Sequence, residues 1–172
     1  MSFLDWNKRV DEASAEFLAL VQRADLLNPR FTPIEQKLGV SLLYAICHPD
    51  HFARPQWHSQ MFLGLPGKTF MDFPPHDRPG FFIAPQVSVG QYIADFAVVA
   101  KVRTVAQGVI ECDGHASHER TPEQATHDRA RDRYMQSIGI TVLRYTGREI
   151  VSNPLHSAVN ALSILEQRAS MA

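Results

Sequence analysis

Three acidic residues, Asp95, Glu111 and Asp113, lie within or at the end of two apolar runs, Y-I-A-D-F-A-V-V-A and G-V-I-E-C-D-G. An ionised carboxylate in an apolar strand is costly unless a cation, hydrogen bonds or a metal compensates it. Period-two alternation places Asp95 on the face of Ile93, Ala97 and Val99, and puts Glu111 and Asp113 opposite to Ile110 and Cys112. Adjacent strands run roughly 5 Å apart, so Asp95 and Glu111 approach closely if the register allows, and two such charges repel unless something positive separates them. Magnesium or manganese fits that need, with the Asp95 and Glu111 carboxylates and the Cys112 backbone carbonyl as oxygen ligands. Two arrangements without magnesium compete with it. A salt bridge from Arg131 or Arg144 would neutralise the same carboxylates, and His115 with His118 would bind zinc together with Cys112, although no complete four-ligand spacing is visible.

The flanking sequence supplies elements that position these residues. Apolar residues from Val10 to Leu27 recur at helical spacing. A second helix is expected after Thr32 as N-cap, with Pro33 at its first position, Glu35 closing a capping box, and Leu38, Leu42, Leu43 and Ile46 on its buried side. The stretch from His48 to about Gly80 is rich in Pro, Gly, His and aromatics and reads as irregular, with room for a short strand or turn. Phe81–Val89 and Gln91–Val102 predict an antiparallel hairpin turning at Gly90, and Val105–Cys112 a third strand ended by Asp113-Gly114. A helix opened by Thr121-Pro122-Glu123-Gln124 and stopped by Gly139, a strand over Ile140–Tyr145, and a helix opened by Asn153-Pro154 with Leu155, Val159, Leu162 and Leu165 complete the series.

With 172 residues and 45% hydrophobic content, the chain is expected to form a single domain spanning 1–172. A net charge of -1 argues against a strongly basic nucleic-acid binder but not against a local positive face. Two well-separated cysteines, Cys47 and Cys112, suggest neither a disulfide framework nor a zinc module. No signal-like start and no run of about 18 apolar residues is present, so a soluble cytoplasmic protein without membrane contact is expected.

The ordered series of features resembles the restriction-endonuclease-like superfamily, with its P-D…(D/E)-x-K core motif, and more closely the branch of very-short-patch-repair endonucleases and their relatives. The matching features are Glu35 on an early helix, Asp95-Phe96, Glu111-Cys112-Asp113-Gly114 with His118, Asp128 to Arg131, and Gly139 to Arg144. They cover roughly residues 32 to 150. The resemblance implies an α/β restriction-endonuclease-like core, a central mixed sheet of four to five strands flanked by helices. It also implies magnesium- or manganese-dependent hydrolysis of a DNA phosphodiester, of the repair or defence type.

One position departs from the superfamily pattern: Asp113 stands where the motif has lysine. It would bind a second cation, position a water or hold the Gly114 turn, and Lys101 near the end of the Asp95 strand is a candidate relocated lysine. Under the enzymatic reading the ion polarises a phosphodiester oxygen and lowers the pKa of a bound water, while His118 or His115 accepts or relays a proton. Glu35 either caps its helix or approaches the ion, and the two roles compete for one carboxylate. Arg131 and Arg144 would position the carboxylates or bind phosphate through a bidentate fork, and Asp128–Arg131 is equally compatible with a solvated i,i+3 pair. Lys68, Arg54, Arg78 and Trp57 would extend a strand-binding surface. The alternatives to an endonuclease are a catalytically inactive nucleic-acid-binding module and a protein-interaction domain on the same fold. Oligomeric state and the choice between DNA and RNA are not encoded in these patterns.

Overall fold

A computed structural model describes residues 19, 21–22, 25–48, 61–63, 80–114 and 122–171. Its elements in chain order are α1 (Pro33–Cys47), β1 (Met61–Leu63), β2 (Gly80–Val89), β3 (Tyr92–Lys101), β4 (Val105–Asp113), α2 (Pro122–Ser137), β5 (Thr141–Thr146), α3 (Gly147–Ser152) and α4 (Pro154–Ser170). The strands form one five-stranded sheet in the order β1-β2-β3-β4-β5. The outer pairs β1–β2 and β4–β5 are parallel, and β2–β3 and β3–β4 are antiparallel. This is the expected mixed sheet of an α/β fold. The long helix predicted over Val10–Leu27 falls mostly outside the described residues, and β1 is the short strand allowed for in the Pro-rich stretch.

Local chemistry explains where the helices begin and stop. Thr32 caps α1 by accepting from the Glu35 N–H at 3.4 Å, and Glu35 Oε2 accepts from the Thr32 N–H at 3.0 Å, closing the expected capping box. An unpredicted box of the same kind opens α3, where Thr146 and Glu149 cap each other. It lies in the open T-G-R-E spacing of the sequence. Past the end of α2, Gly139 adopts φ +81, while the Ile140 N–H bonds to the Met135 carbonyl and the Gly139 N–H to that of Gln136. This is a Schellman stop, and only glycine takes that backbone conformation without strain.

Both faces of the sheet are covered. On one, Phe81, Ile83, Phe96, Val98 and Ile110 pack against Leu38, Leu42 and Leu43 of α1 and Leu162 and Leu165 of α4. On the other, Phe82, Val99, Val109 and Val142 pack with Met135 of α2. The partition on β4 is the expected one, with Ile110 and Cys112 on the α1–α4 side.

The alternation expected through Asp95 fails. Ala97 and Val99 join the α2-side cluster, but so do Tyr92 and Ala94, whereas Ile93 is 60% exposed. The ladder explains the switch. Pro85 pairs with Phe96 and Val87 with Ala94, but between them Gln86 and Asp95 are not partners, and Gln86 has φ +51. Pro85 brings no N–H to the ladder, and a non-glycine residue in the left-handed region marks a local kink. Asp95 therefore stands at a break in the sheet.

Helix α1 can reach this break because position 39 carries no side chain. A Cβ there would lie 2.8 Å from Leu26 Cδ2 and 3.0 Å from ring carbons Cε1 and Cζ of Phe96. Leu26 and Phe96 are buried, so neither has room to retreat. Gly39→Val is expected to destabilise the protein by about 1–3 kcal/mol through overpacking. Urea denaturation monitored by circular dichroism measures this, and an unchanged midpoint would show that α1 sits further from Phe96.

Candidate active site

The β3–β4 ladder runs from Lys101↔Val105 to Phe96↔Ile110 and stops. The next residues in line are Asp95 and Glu111. In place of a further ladder bond, the Cys112 backbone N–H donates to Asp95 Oδ2 at 2.7 Å. A side-chain carboxylate has replaced a main-chain carbonyl, and that substitution holds Asp95 at the splayed end of the strands beside Glu111.

Neighbouring elements converge on the same point. From β5, Arg144 lies in register with Glu111. Its Nη1 donates to Asp113 Oδ1 at 3.3 Å and its Nη2 to Asp132 Oδ1 at 2.6 Å. From α2, Arg131 Nη2 lies 3.3 Å from Glu111 Oε2. From α1, Glu35 keeps its carboxylate in the capping box, yet its charge still helps to raise the pKa of Asp95. Capping and proximity to the cluster are thus compatible.

The electrostatics are unbalanced. Among the described residues, Glu35, Asp95, Glu111, Asp113 and Asp132 bring five carboxyl groups together with two guanidiniums, those of Arg131 and Arg144, so ionising all five acids would leave an excess of negative charge. Burial first, and then Glu35 and Asp113, push Asp95 up to about 6 despite the Cys112 hydrogen bond and Arg131. Burial and Asp95 push Glu111 up to about 8, against the pull of Arg131 and Arg144. A salt bridge that lets its acid rise so far compensates poorly. Glu111 is only 4% exposed, and its Oε1 and the Nε of Arg131 are buried without hydrogen-bond partners among the described residues. Arginine pairing therefore accounts for one oxygen of Glu111 and not the other.

These oxygens suit a hard divalent cation: among the described residues Glu111 Oε1 lacks a partner, Asp95 commits Oδ2 to Cys112, and carboxyl groups outnumber guanidiniums. Among the described residues no three His, Cys, Asp or Glu side chains form a ready metal cage. A donor set this small fits an ion that keeps several waters. Burial and the four carboxylates Asp95, Glu35, Glu111 and Asp113 push the Cys112 thiol far above its ordinary range.

Lys101 ends β3 six residues from Asp95, about 20 Å along the strand, so it does not stand beside the carboxylates as a relocated lysine. His115, His118, Lys68, Arg54, Arg78 and Trp57 lie outside the described residues. Arg131 turns to Glu111, which gives it a partner beyond the helix carrying Asp128. Asp132 is a participant that the sequence pattern does not single out. In the run R-A-R-D-R it looks like a solvated helix charge, and only the return of Arg144 on β5 reveals its partner. A cavity of about 450 Å³ lined by Val105, Gln107, Thr141 and Arg168 contains none of these acids.

A mixed sheet with carboxylates at one end, between helices on both faces, matches the architecture of a restriction-endonuclease-like core. The REase_MTES_1575 family model matches residues 77–164, just over half of the chain, and the chain belongs to that family. Searches of curated proteins and of solved structures found no significant match.

The raised pKa values make stability depend on pH. Asp95 and Glu111 bind protons more tightly folded than unfolded, so their stabilising effect is complete below the ordinary carboxylate range. It is lost as pH rises through about 6 and then about 8. In the absence of divalent cations, the melting temperature is expected to fall by several degrees between pH 5 and pH 8.5. Glu111→Gln should flatten the upper part of that fall. Differential scanning fluorimetry in EDTA measures both, and parallel pH profiles for the two proteins would contradict the placement of Glu111.

Proposed function

We propose that this chain is a magnesium- or manganese-dependent endonuclease that hydrolyses DNA phosphodiesters, of the repair or defence type and akin to the very-short-patch-repair branch. The observation that carries this reading is the juxtaposition of half-buried Asp95 with buried Glu111, whose carboxyl stays raised in pKa despite Arg131 and Arg144. A divalent ion held by Asp95, Glu111 and the Cys112 carbonyl would supply Lewis-acid polarisation of a phosphodiester oxygen and a water of lowered pKa.

The chain's own residues do the rest. The Cys112 N–H fixes the orientation of Asp95, and Arg131 fixes that of Glu111. His118 or His115 takes the proton of the attacking water, a task that suits the imidazole as a residue type. The water oxygen bonds to phosphorus, the phosphorus bond to the leaving sugar oxygen breaks, and a proton is returned to that oxygen. Glu35 adds negative charge beside Asp95 from the α1 cap.

The Arg131–Glu111 ion pair favours a second reading, in which arginines take the place of the ion and the fold binds nucleic acid or a protein without cutting. A cleavage panel decides between them. Plasmid, mismatched and branched DNA, with structured RNA, are incubated with magnesium or manganese and the wild-type chain, Asp95→Asn, or Asp95→Asn/Glu111→Gln. Metal-dependent cutting of DNA is expected, with Asp95→Asn slower by roughly 100-fold or more and its melting temperature within a few degrees. Cutting insensitive to Asp95→Asn sinks the assignment. Failure of the wild-type chain to cut any polynucleotide favours the inactive reading.

A further inference from the structure

Phosphodiester hydrolysis builds negative charge on the phosphoryl oxygens, and a fixed cation beside the carboxylate pair would stabilise it. Arg131 is engaged with Glu111. Arg144 is differently placed. It stands in register with Glu111 on the adjacent strand, and its Nη1 and Nη2 are held by two separate carboxylates, Asp113 of β4 and Asp132 of α2. A guanidinium carries five N–H donors, so two such contacts leave donors over. Its side chain is 23% exposed, so part of it is reached by solvent.

We propose, on the basis of the nuclease reading above, that Arg144 is a catalytic residue that binds the phosphoryl oxygens of the scissile phosphodiester, and that Asp113 and Asp132 are positioning residues that clamp it. The negative charge at position 113 then has a physical reason. It draws the cation from the neighbouring strand to a point 3.3 Å from its own side chain, where a lysine at 113 would deliver an ammonium directly. Asp132 anchors the other end of the fork at 2.6 Å, the shorter of the two contacts. A point-charge lysine at 144 would lack the fork that two carboxylates and a phosphate require together.

The test measures kcat and KM on whichever polynucleotide of the panel the wild-type chain cuts. Arg144→Ala should lower kcat roughly 100-fold with KM changed by under about threefold, because the contact strengthens as charge develops. Asp132→Asn should lower kcat about tenfold alone and not at all in the Arg144→Ala background, since it acts through that arginine. Asp113→Lys alone should reduce turnover by setting two cations against each other, whereas Asp113→Lys in the Arg144→Ala background should raise kcat about tenfold over Arg144→Ala. A purely structural ion pair would not produce that reversal of sign.

Arg144→Ala turning over at the wild-type rate, additive losses with Asp132→Asn, or Asp113→Lys alone as fast as wild type would each overturn the proposal while leaving the nuclease reading intact. If Arg144→Ala does not fold, Asp132→Asn with unchanged kcat overturns it instead. A wild-type chain that cuts nothing defeats the nuclease reading, and this proposal with it.

Discussion

Like-charge crowding at the splayed end of the sheet is the constraint on which the rest of the structure depends. Among the described residues five carboxyl groups and two guanidiniums are gathered there, and Glu111 is nearly inaccessible to solvent. Folding around such a group is unfavourable unless protonation or a cation relieves it. The fold contributes fixed donors rather than full neutralisation: the Cys112 N–H on Asp95, Arg131 on Glu111, and Arg144 between Asp113 and Asp132.

The architecture holds that crowding in place. The kink at Gln86 and Asp95 interrupts the β2–β3 pairing at the level where the β3–β4 ladder ends. Gly39 lets α1 close on Phe96, which brings the Glu35 cap to one side of the break. The crossover through α2 returns β5 parallel to β4 and so sets Arg144 level with Glu111, while consecutive residues Arg131 and Asp132 of α2 reach two different partners. Each contact joins elements distant in sequence.

That distance explains which parts are legible in the sequence. The helix starts at Thr32 and Asn153, the stop at Gly139 and the strands around Asp95 and Glu111 follow from capping chemistry and apolar runs, which are local. The division of Ile110 and Cys112 from Glu111 and Asp113 follows from alternation. Alternation misplaces Ile93 because a kink depends on the partner strand, where Pro85 and Gln86 interrupt the ladder. Asp132 is hidden for a related reason, since its role is defined by Arg144 across a crossover. Lys101 looks near Asp95 in sequence, but an extended strand carries it to the opposite end of the sheet. The T-G-R-E box of α3 is local and readable, yet it follows a strand so closely that the apolar run masks it.

The most direct measurement is calorimetric titration of manganese into the metal-free chain at pH 7.5, in parallel with Asp95→Asn/Glu111→Gln. If the carboxylate pair holds a cation, the wild-type chain binds one ion per chain at this site, and the double variant, freed of both charges, loses that binding. No binding by the folded wild-type chain, or equal binding by the two proteins, would contradict it.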